Sequence, residues 1–427
     1  MNIAILGYGV EGESVYNYYH AKYPDASFTV YDNKSEPKNP LPDGVTFVGS
    51  VADFKGITAD LAIKTPAIPP SQIEVTGEVT SMTREFLKTC PAPVIGVTGT
   101  KGKGTTASLI ASILDAAGKK TWLVGNIGLG AFDVLDQISA DDIVIYELSS
   151  FQLWDIDISP HVAVVLFIEQ EHLDIHASMD EYVSAKGNIT RYQQTNDVVI
   201  FDRENSYSKQ IADAGSSQKI AYPDKASAHI HEGYFYYGEQ KICPADTLKI
   251  KGEHNQNNTC AAIDAAWLYT QNVAAIEEGL STFTGLPHRL QFIREVAGVS
   301  YYDDSIATTP SAVIAALRSF NGQKVIILGG SSKGSDFTEL GVELTRHEVQ
   351  AILIGDEAEK IAASCEAAGF TNYEIMQDPT AESIVARAAE LAQPGATVLL
   401  SPASASFGLF RNYADRGDKF IQAVENL

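Results

Sequence analysis

The chain of 427 residues is 45% hydrophobic and 20% charged, the composition of a soluble globular protein, and its length predicts two to four domains at roughly 150 residues each. Its 54 acidic and 31 basic residues leave a net charge of -23, which argues against a nucleic-acid or anionic-membrane surface, so an anionic ligand must be held in a local pocket. Cys90, Cys243, Cys260 and Cys365 have no paired spacing, so neither a disulfide framework nor a zinc knuckle is expected, and no apolar run is long enough to cross a bilayer.

Asn2 to Leu6 predicts a strand, Gly7-Tyr8-Gly9-Val10-Glu11-Gly12 a turn that opens a helix, and Phe28 to Tyr31 a second strand ending at Asp32. This is a dinucleotide-binding fingerprint with its acidic residue in place. A nucleotide fold follows more readily than NAD itself, because Glu11 is electrostatically awkward beside a pyrophosphate. The opening run lacks a basic leader, so no export signal is expected, and the scattered cysteines fit a reducing cytoplasm. Pro37, Pro40 and Pro42 mark a loop, and Leu61 to Pro70 reads as a strand ending in a stiff turn. Pro91 and Pro93 then close a first domain over 1–90.

Val94 to Val97 predicts a short buried strand and Thr105 to Ala117 a helix stopped by Gly118, joined by the loop Thr98-Gly99-Thr100-Lys101-Gly102-Lys103-Gly104. A glycine-rich loop here curls its N–H groups inward, and the helix points its positive end at the same place. Lys103 supplies a compact cation for a β- or γ-phosphate, and Thr105 or Thr106 a hydroxyl for Mg²⁺. The strict phosphate-loop pattern would have glycine at Val97 and serine or threonine at Gly104. A plain glycine-rich turn, however, does not explain a lysine between two glycines followed by two threonines, and the expected ligand is a nucleoside triphosphate.

Strands are predicted at Thr121 to Val124, Ile143 to Tyr146, Val162 to Ile168 and Val198 to Phe201, alternating with helices as in a mostly parallel sheet. Open parallel sheets place ligand groups at the carboxyl ends of their strands, where Glu147 and Glu169-Gln170-Glu171-His172 fall. Alone, Glu147 reads as a solvated carboxylate, His172 as a structural histidine and Lys186, in a predicted helix, as a surface lysine. Behind a phosphate loop they read differently, because a hard cation bridging ATP oxygens wants carboxylates nearby and accepts an imidazole. Ala228 to Ile242 predicts a hairpin, Asn255 to Thr270 a helix, and Gly285-Leu286-Pro287 the end of a second domain over 91–285. A third α/β domain, 286–427, follows from strands at Lys324 to Leu328, Ala351 to Ile354 and Thr397 to Leu400, with helices at Glu357 to Ala368 and Ala381 to Leu391.

The chain resembles the Mur ligases, ATP-dependent amide-forming enzymes of peptidoglycan precursor synthesis. The resemblance rests on Gly96 to Lys103, Gly125-Asn126-Ile127-Gly128, Glu147 to Leu153, His172 with Asp174, His254-Asn255 with Asn258, Leu286-Pro287-His288-Arg289 and Ser401-Pro402-Ala403-Ser404-Ala405-Ser406. It implies an α/β protein of three domains: a Rossmann-like first domain for the UDP substrate, a central ATPase-like domain with a mostly parallel sheet, and a Rossmann-like third domain for the amino acid. Gly7, Gly9, Val10, Glu11, Asp32 and Asn126 would hold the UDP substrate. Gly99, Thr100, Gly102, Lys103, Gly104, Thr105, Thr106, Asn255, Asn258, Arg289 and Asp304 would hold ATP. Thr105, Glu147, His172 and Lys186 would hold Mg²⁺, the lysine being carbamylated in this family, and Lys103, Glu147, His172 and Lys186 form the implied catalytic set.

The opening domain, the modest length and the C-terminal motif fit best the branch that adds D-glutamate to UDP-N-acetylmuramoyl-L-alanine, with Thr308, Lys333, Ser406, Phe407 and Tyr413 holding the amino acid. The γ-phosphoryl of ATP would make an acyl phosphate that the amine of glutamate attacks. A monomer acting on small molecules in the cytoplasm is expected. Glu11 stands where a small polar residue is usual, and Lys101 and Ile306 also depart from the pattern. Lys103-Gly104-Thr105 resembles folylpolyglutamate synthetases, so another amide ligase of the superfamily, including one that adds L-glutamate, is an alternative. A noncatalytic nucleotide-binding protein is another, and it would leave Glu147, His172 and Lys186 without a joint purpose.

Overall fold

The computed structural model describes every residue except Lys38, Asn39, Asp174, Lys251, Lys333, Gly334, Phe407 and Gly408, and the side chain of Val10. It divides into two compact units, Met1–Phe283 and Thr284–Leu427.

The first unit begins with a five-stranded parallel sheet in the order Thr46–Val48, Ser27–Tyr31, Asn2–Leu6, Leu61–Lys64, Glu78–Ser81. Asn2–Leu6 is apolar on both faces because both are covered: Ile3 and Ile5 join the core under the helix Val10–Lys22, while Ala4 and Leu6 pack with Phe54, Ile57 and Ile68. The turn into that helix is tight. Gly7 N–H donates to Tyr31 O at 2.8 Å, and a side chain at Gly12 would place its Cβ 2.6 Å from Gly7 O.

A six-stranded parallel sheet follows, in the order Gln218–Tyr222, Val198–Asp202, Val162–Val165, Val94–Thr98, Ile143–Glu147, Thr121–Gly125. Alternation sorts its side chains: Val94, Val144, Ala163 and Val199 face one core, and Ile95, Ile145, Val164 and Ile200 face another beneath the helices Lys103–Ala116 and Glu253–Trp267. The first of these cores continues into the opening sheet. Tyr18 stacks on Phe132 at 4.1 Å between centroids, and Ser14 Oγ donates to Asp133 Oδ1 at 2.6 Å. The strand expected to reach Ile168 stops at Val165, because the chain beyond it pairs with the phosphate loop instead, through Leu166 N–H to Thr98 O and Thr100 N–H to Phe167 O. The expected hairpin is a three-stranded antiparallel sheet, Ala228–His231, Tyr234–Tyr237 and Gln240–Pro244, because the chain turns twice within it.

Asp264, on the helix Glu253–Trp267, is fully buried; its Oδ1 accepts the Ala228 N–H at 2.7 Å, and its Oδ2 has no partner among the described residues. Burial holds its carboxyl well above the usual range, so the folded chain keeps a proton that the unfolded chain loses. The unfolded state therefore binds fewer protons above the ordinary carboxyl pKa, and this site's contribution to stability falls as pH rises toward the folded value, by up to about 1.4 kcal/mol per pH unit. Asp264→Asn should remove that slope. Melting temperatures followed across pH for both proteins check it, and parallel curves would refute it.

The second unit holds a six-stranded sheet in the order Gln291–Val296, Val299–Asp303, Thr397–Leu400, Lys324–Gly329, Val349–Ile354, Tyr373–Met376, antiparallel only at its first pair. Ile326 and Leu328 face one helix layer and Val325 and Ile327 the other. The carboxyl ends of its central strands are pinned by buried Arg416, which donates to Ser305 Oγ at 2.9 Å, Ser305 O at 2.8 Å and Ser404 O at 3.2 Å. The α/β class expected from the sequence is the one observed.

Candidate active site

The loop after Val94–Thr98 is shaped by its neighbours along one sheet edge. Thr98 Oγ1 donates to Leu148 O at 2.8 Å, and Thr100 Oγ1 lies 3.0 Å from Tyr182 OH and accepts the Glu169 N–H at 3.0 Å. These bonds bind the ends of three strands and the helix Met179–Arg191 to the loop. Gly102, the residue before the helix, has φ +87°, where a side chain is strained, and a Cβ there would lie 2.3 Å from Asn258 Oδ1 and displace that amide. Asn258 Nδ2 in turn donates to Asn255 Oδ1 at 3.4 Å, which sets both asparagines against the loop.

Lys103 Nζ donates to the carbonyls of Gly99 at 3.1 Å and Thr100 at 3.0 Å, so its ammonium is held over the loop. Lys186 Nζ reaches the same Gly99 carbonyl at 2.8 Å and sits 4.6 Å from the centre of the Tyr182 ring. Lys186 is not the surface lysine its residue type implies; it is 2% exposed. Burial, reinforced by the positive Lys103, pulls its amine well below the ordinary ammonium range, against the opposing pull of Glu171 and Glu147. Thr105 is half-buried, whereas Thr106 is fully buried and its hydroxyl has no partner among the described residues.

A cleft of about 560 Å³ gathers the expected groups. Gly9 and Glu11 of the first glycine turn line one part of it, and Lys103, Asn126, Glu147 and His172 line the rest. Glu147 is the last residue of its strand and is buried. His172 adopts φ +57°, its ring 5.0 Å from Phe151 and its Nε2 3.6 Å from Glu171 Oε2. Among the described residues, no three His, Cys, Asp or Glu side chains converge as a ready-made metal cage. Asp32 is buried, its carboxylate accepting the N–H groups of Tyr8 at 2.8 Å and Lys34 at 3.0 Å, which ties the glycine turn to the end of the next strand.

Ser149 and Phe151, within the Glu147 to Leu153 motif, also line the cleft; sequence reasoning did not single out Thr65, which lines it too, or His176, fully buried with its Nε2 3.0 Å from Ser150 Oγ and its ring stacked on Phe151. Thr65 follows an apolar strand just as Glu147 does, a signal that was available. Nothing in its spacing marks His176.

The remaining expected site residues belong to the second unit. Asp304 accepts Leu290 N–H at 3.2 Å and Ser401 Oγ–H at 2.7 Å, and burial lifts its carboxyl to about 7. It thus braces the turn that carries Arg289. Thr308 follows the strand Val299–Asp303 and buried Ser406 follows Thr397–Leu400, neighbouring parallel strands, so both lie at one sheet edge. Tyr413, 43% exposed, opens the last helix with its ring 6.1 Å from His288. Lys333 and Phe407 lie outside the described residues.

Residues 97–266 match the Mur ligase middle domain, and residues 288–404 match the Mur ligase, glutamate ligase domain. A UDP-N-acetylmuramoylalanine--D-glutamate ligase of Clostridium tetani is 34% identical over 447 aligned positions, covering 100% of this chain and 96% of that protein. Among solved structures, an Acinetobacter baumannii UDP-N-acetylmuramoylalanyl-D-glutamyl-2,6-diaminopimelate--D-alanyl-D-alanyl ligase superposes with a TM-score of 0.61 at 17% identity, over 99% of this chain and 93% of that one. MurF ligase of Thermotoga maritima in complex with ADP gives 0.56 at 18% identity, over 99% and 94%. At such identities these structures speak for the fold alone, but the full-length relative and both domain matches go further: the chain belongs to the Mur ligase family.

Proposed function

We propose that this protein joins D-glutamate to the terminal carboxylate of UDP-N-acetylmuramoyl-L-alanine, splitting ATP to ADP and phosphate, in peptidoglycan precursor synthesis. The observation that carries the reading is the single cleft walled by both the first glycine turn and Lys103 of the phosphate loop. A sugar nucleotide held by that turn would extend its acyl end toward the γ-phosphate of an ATP cradled by Gly99, Thr100, Gly102, Gly104 and Thr105. The name of the Clostridium relative supports the substrate assignment, and ADP in the MurF neighbour supports the nucleotide.

A carboxylate is a poor electrophile, so the first step is transfer of the γ-phosphoryl group to the substrate carboxylate, giving an acyl phosphate and ADP. Lys103 disperses charge on the transferring oxygens, and Asn126 orients the sugar-linked acyl chain. The amine of glutamate, having lost its proton, then attacks the acyl carbon and phosphate leaves. Asn255, Asn258, Arg289 and Asp304 act on the nucleotide, with Asp304 bracing the Arg289 turn. Thr308, Lys333, Ser406, Phe407 and Tyr413 hold the amino acid and keep its encounter with the acyl carbon from being random. We assign the protein to the cytoplasm as a monomer; among the described residues no helix is long and apolar enough to cross a membrane.

The donor chemistry suits Mg²⁺. Glu147 and His172 reach the cleft and Thr105 opens the helix beside it, a sparse set that leaves most coordination to phosphate oxygens and water, as this ion prefers. When bound, Mg²⁺ would neutralise phosphate charge. A histidine engaged that way has no lone pair left for the amine proton, so His172 is a ligand in this reading and not the base. Lys186, as a carbamate, would add a further oxygen donor.

Mass spectrometry of the product after incubation with ATP, the UDP substrate and D-glutamate tests the assignment. A species heavier than the substrate by one glutamyl residue is expected, and unchanged substrate alongside ATP consumption would refute it.

A further inference from the structure

Glu11 occupies an unusual place. It stands in the first turn of the helix Val10–Lys22, half-buried, and lines with Gly9 the cleft that also holds Lys103 and Glu147. A Cβ at Gly9 would meet nothing within 4 Å, so the backbone there faces open space. The helix N-terminus favours a phosphate there, whereas an ionised Glu11 opposes it.

The cation that pulls on Glu11, Lys64, is already engaged elsewhere. Lys64 is 1% exposed, and its Nζ is fixed 3.2 Å from Asp155 Oδ1 and 3.3 Å from Ile68 O. Its charge is already paired. Buried Tyr146, whose hydroxyl lies 3.5 Å from Thr83 Oγ1, is the other titratable group that senses Glu11 from an adjoining element. Glu13 shares the helix, Asp32 is engaged with Tyr8 and Lys34, and Lys103, Glu147 and His172 line the rest of the cleft.

We propose that Glu11 binds the diphosphate of the sugar nucleotide as a neutral carboxylic acid, its hydroxyl donating to a phosphate oxygen, so that binding takes one proton from solvent onto the carboxylate. The inference rests on the cleft's being the UDP-substrate site. Burial already lifts this carboxyl to about 6 against the pull of Lys64, and an adjacent diphosphate raises it further. Glu11 is thereby a specificity residue: the acid rewards an acceptor oxygen at that spot.

The test is calorimetric binding of UDP-N-acetylmuramoyl-L-alanine to the full chain at a pH of about 8, in two buffers of different ionisation enthalpy and without divalent cation. Uptake of nearly one proton is expected for the unaltered protein and none for Glu11→Gln. Affinity of the unaltered protein should weaken about tenfold per pH unit above the carboxyl's titration, while that of Glu11→Gln stays flat. Should Glu11→Gln fold poorly, the pH dependence of the unaltered protein decides the matter alone. Equal proton uptake by both proteins, pH-independent affinity, or binding that takes up no proton but requires Mg²⁺ would overturn the proposal. If neither protein binds the sugar nucleotide under any condition, the UDP reading of the cleft fails and this inference with it, whereas binding without proton uptake leaves that reading standing.

Discussion

Lys103→Ala is expected to lower ATP turnover by a factor on the order of a thousand. The lysine holds the only side-chain cation that the phosphate loop places over its own backbone among the described cleft residues, and transfer of a phosphoryl group concentrates charge there in the transition state. Because Lys103 also ties together the Gly99 and Thr100 carbonyls, the variant's melting temperature must be measured alongside its rate. A folded Lys103→Ala protein that turns over ATP like the parent would remove the phosphate loop from the mechanism.

Lys186→Met should also lower turnover, by on the order of a hundredfold or more, without loss of stability. A buried amine stacked beside Tyr182 and facing a second lysine is costly to charge, so replacing it with an apolar chain of similar length should leave the fold as stable or more so. The same environment favours the neutral amine, whose lone pair forms an N–C bond to CO₂ while one proton leaves, giving a carbamate. That anion would sit well beside Lys103, where an ammonium does not. Carbon-13 NMR of protein equilibrated with labelled CO₂ should show a carbamate signal that Lys186→Met lacks. An active Lys186→Met protein, or a signal that persists in it, would contradict the assignment.

The phosphate loop was readable in the sequence because its information is local: glycines, one lysine and a following helix fall within a dozen residues. Glu147 was readable for a related reason, since an apolar run ending in an acid marks a strand end. What the sequence hid are partnerships between distant residues. Thr100 and Tyr182 meet across 82 positions, and Lys64 meets Asp155 although each looks like an ordinary surface charge. Lys186 was identified through the family resemblance while its own residue type pointed to the surface; only packing reveals that it is buried. Likewise Asp32 and Asp304, expected to face ligands, spend carboxylate oxygens on backbone N–H groups of their own units, a role no spacing discloses.

The most direct measurement is phosphate release from ATP in the presence of UDP-N-acetylmuramoyl-L-alanine, with D-glutamate, L-glutamate or no amino acid added. The proposed function predicts release that depends on D-glutamate. Release driven by L-glutamate instead would keep the acyl-phosphate chemistry and relocate the error to the amino-acid pocket, and no release with either would contradict the function.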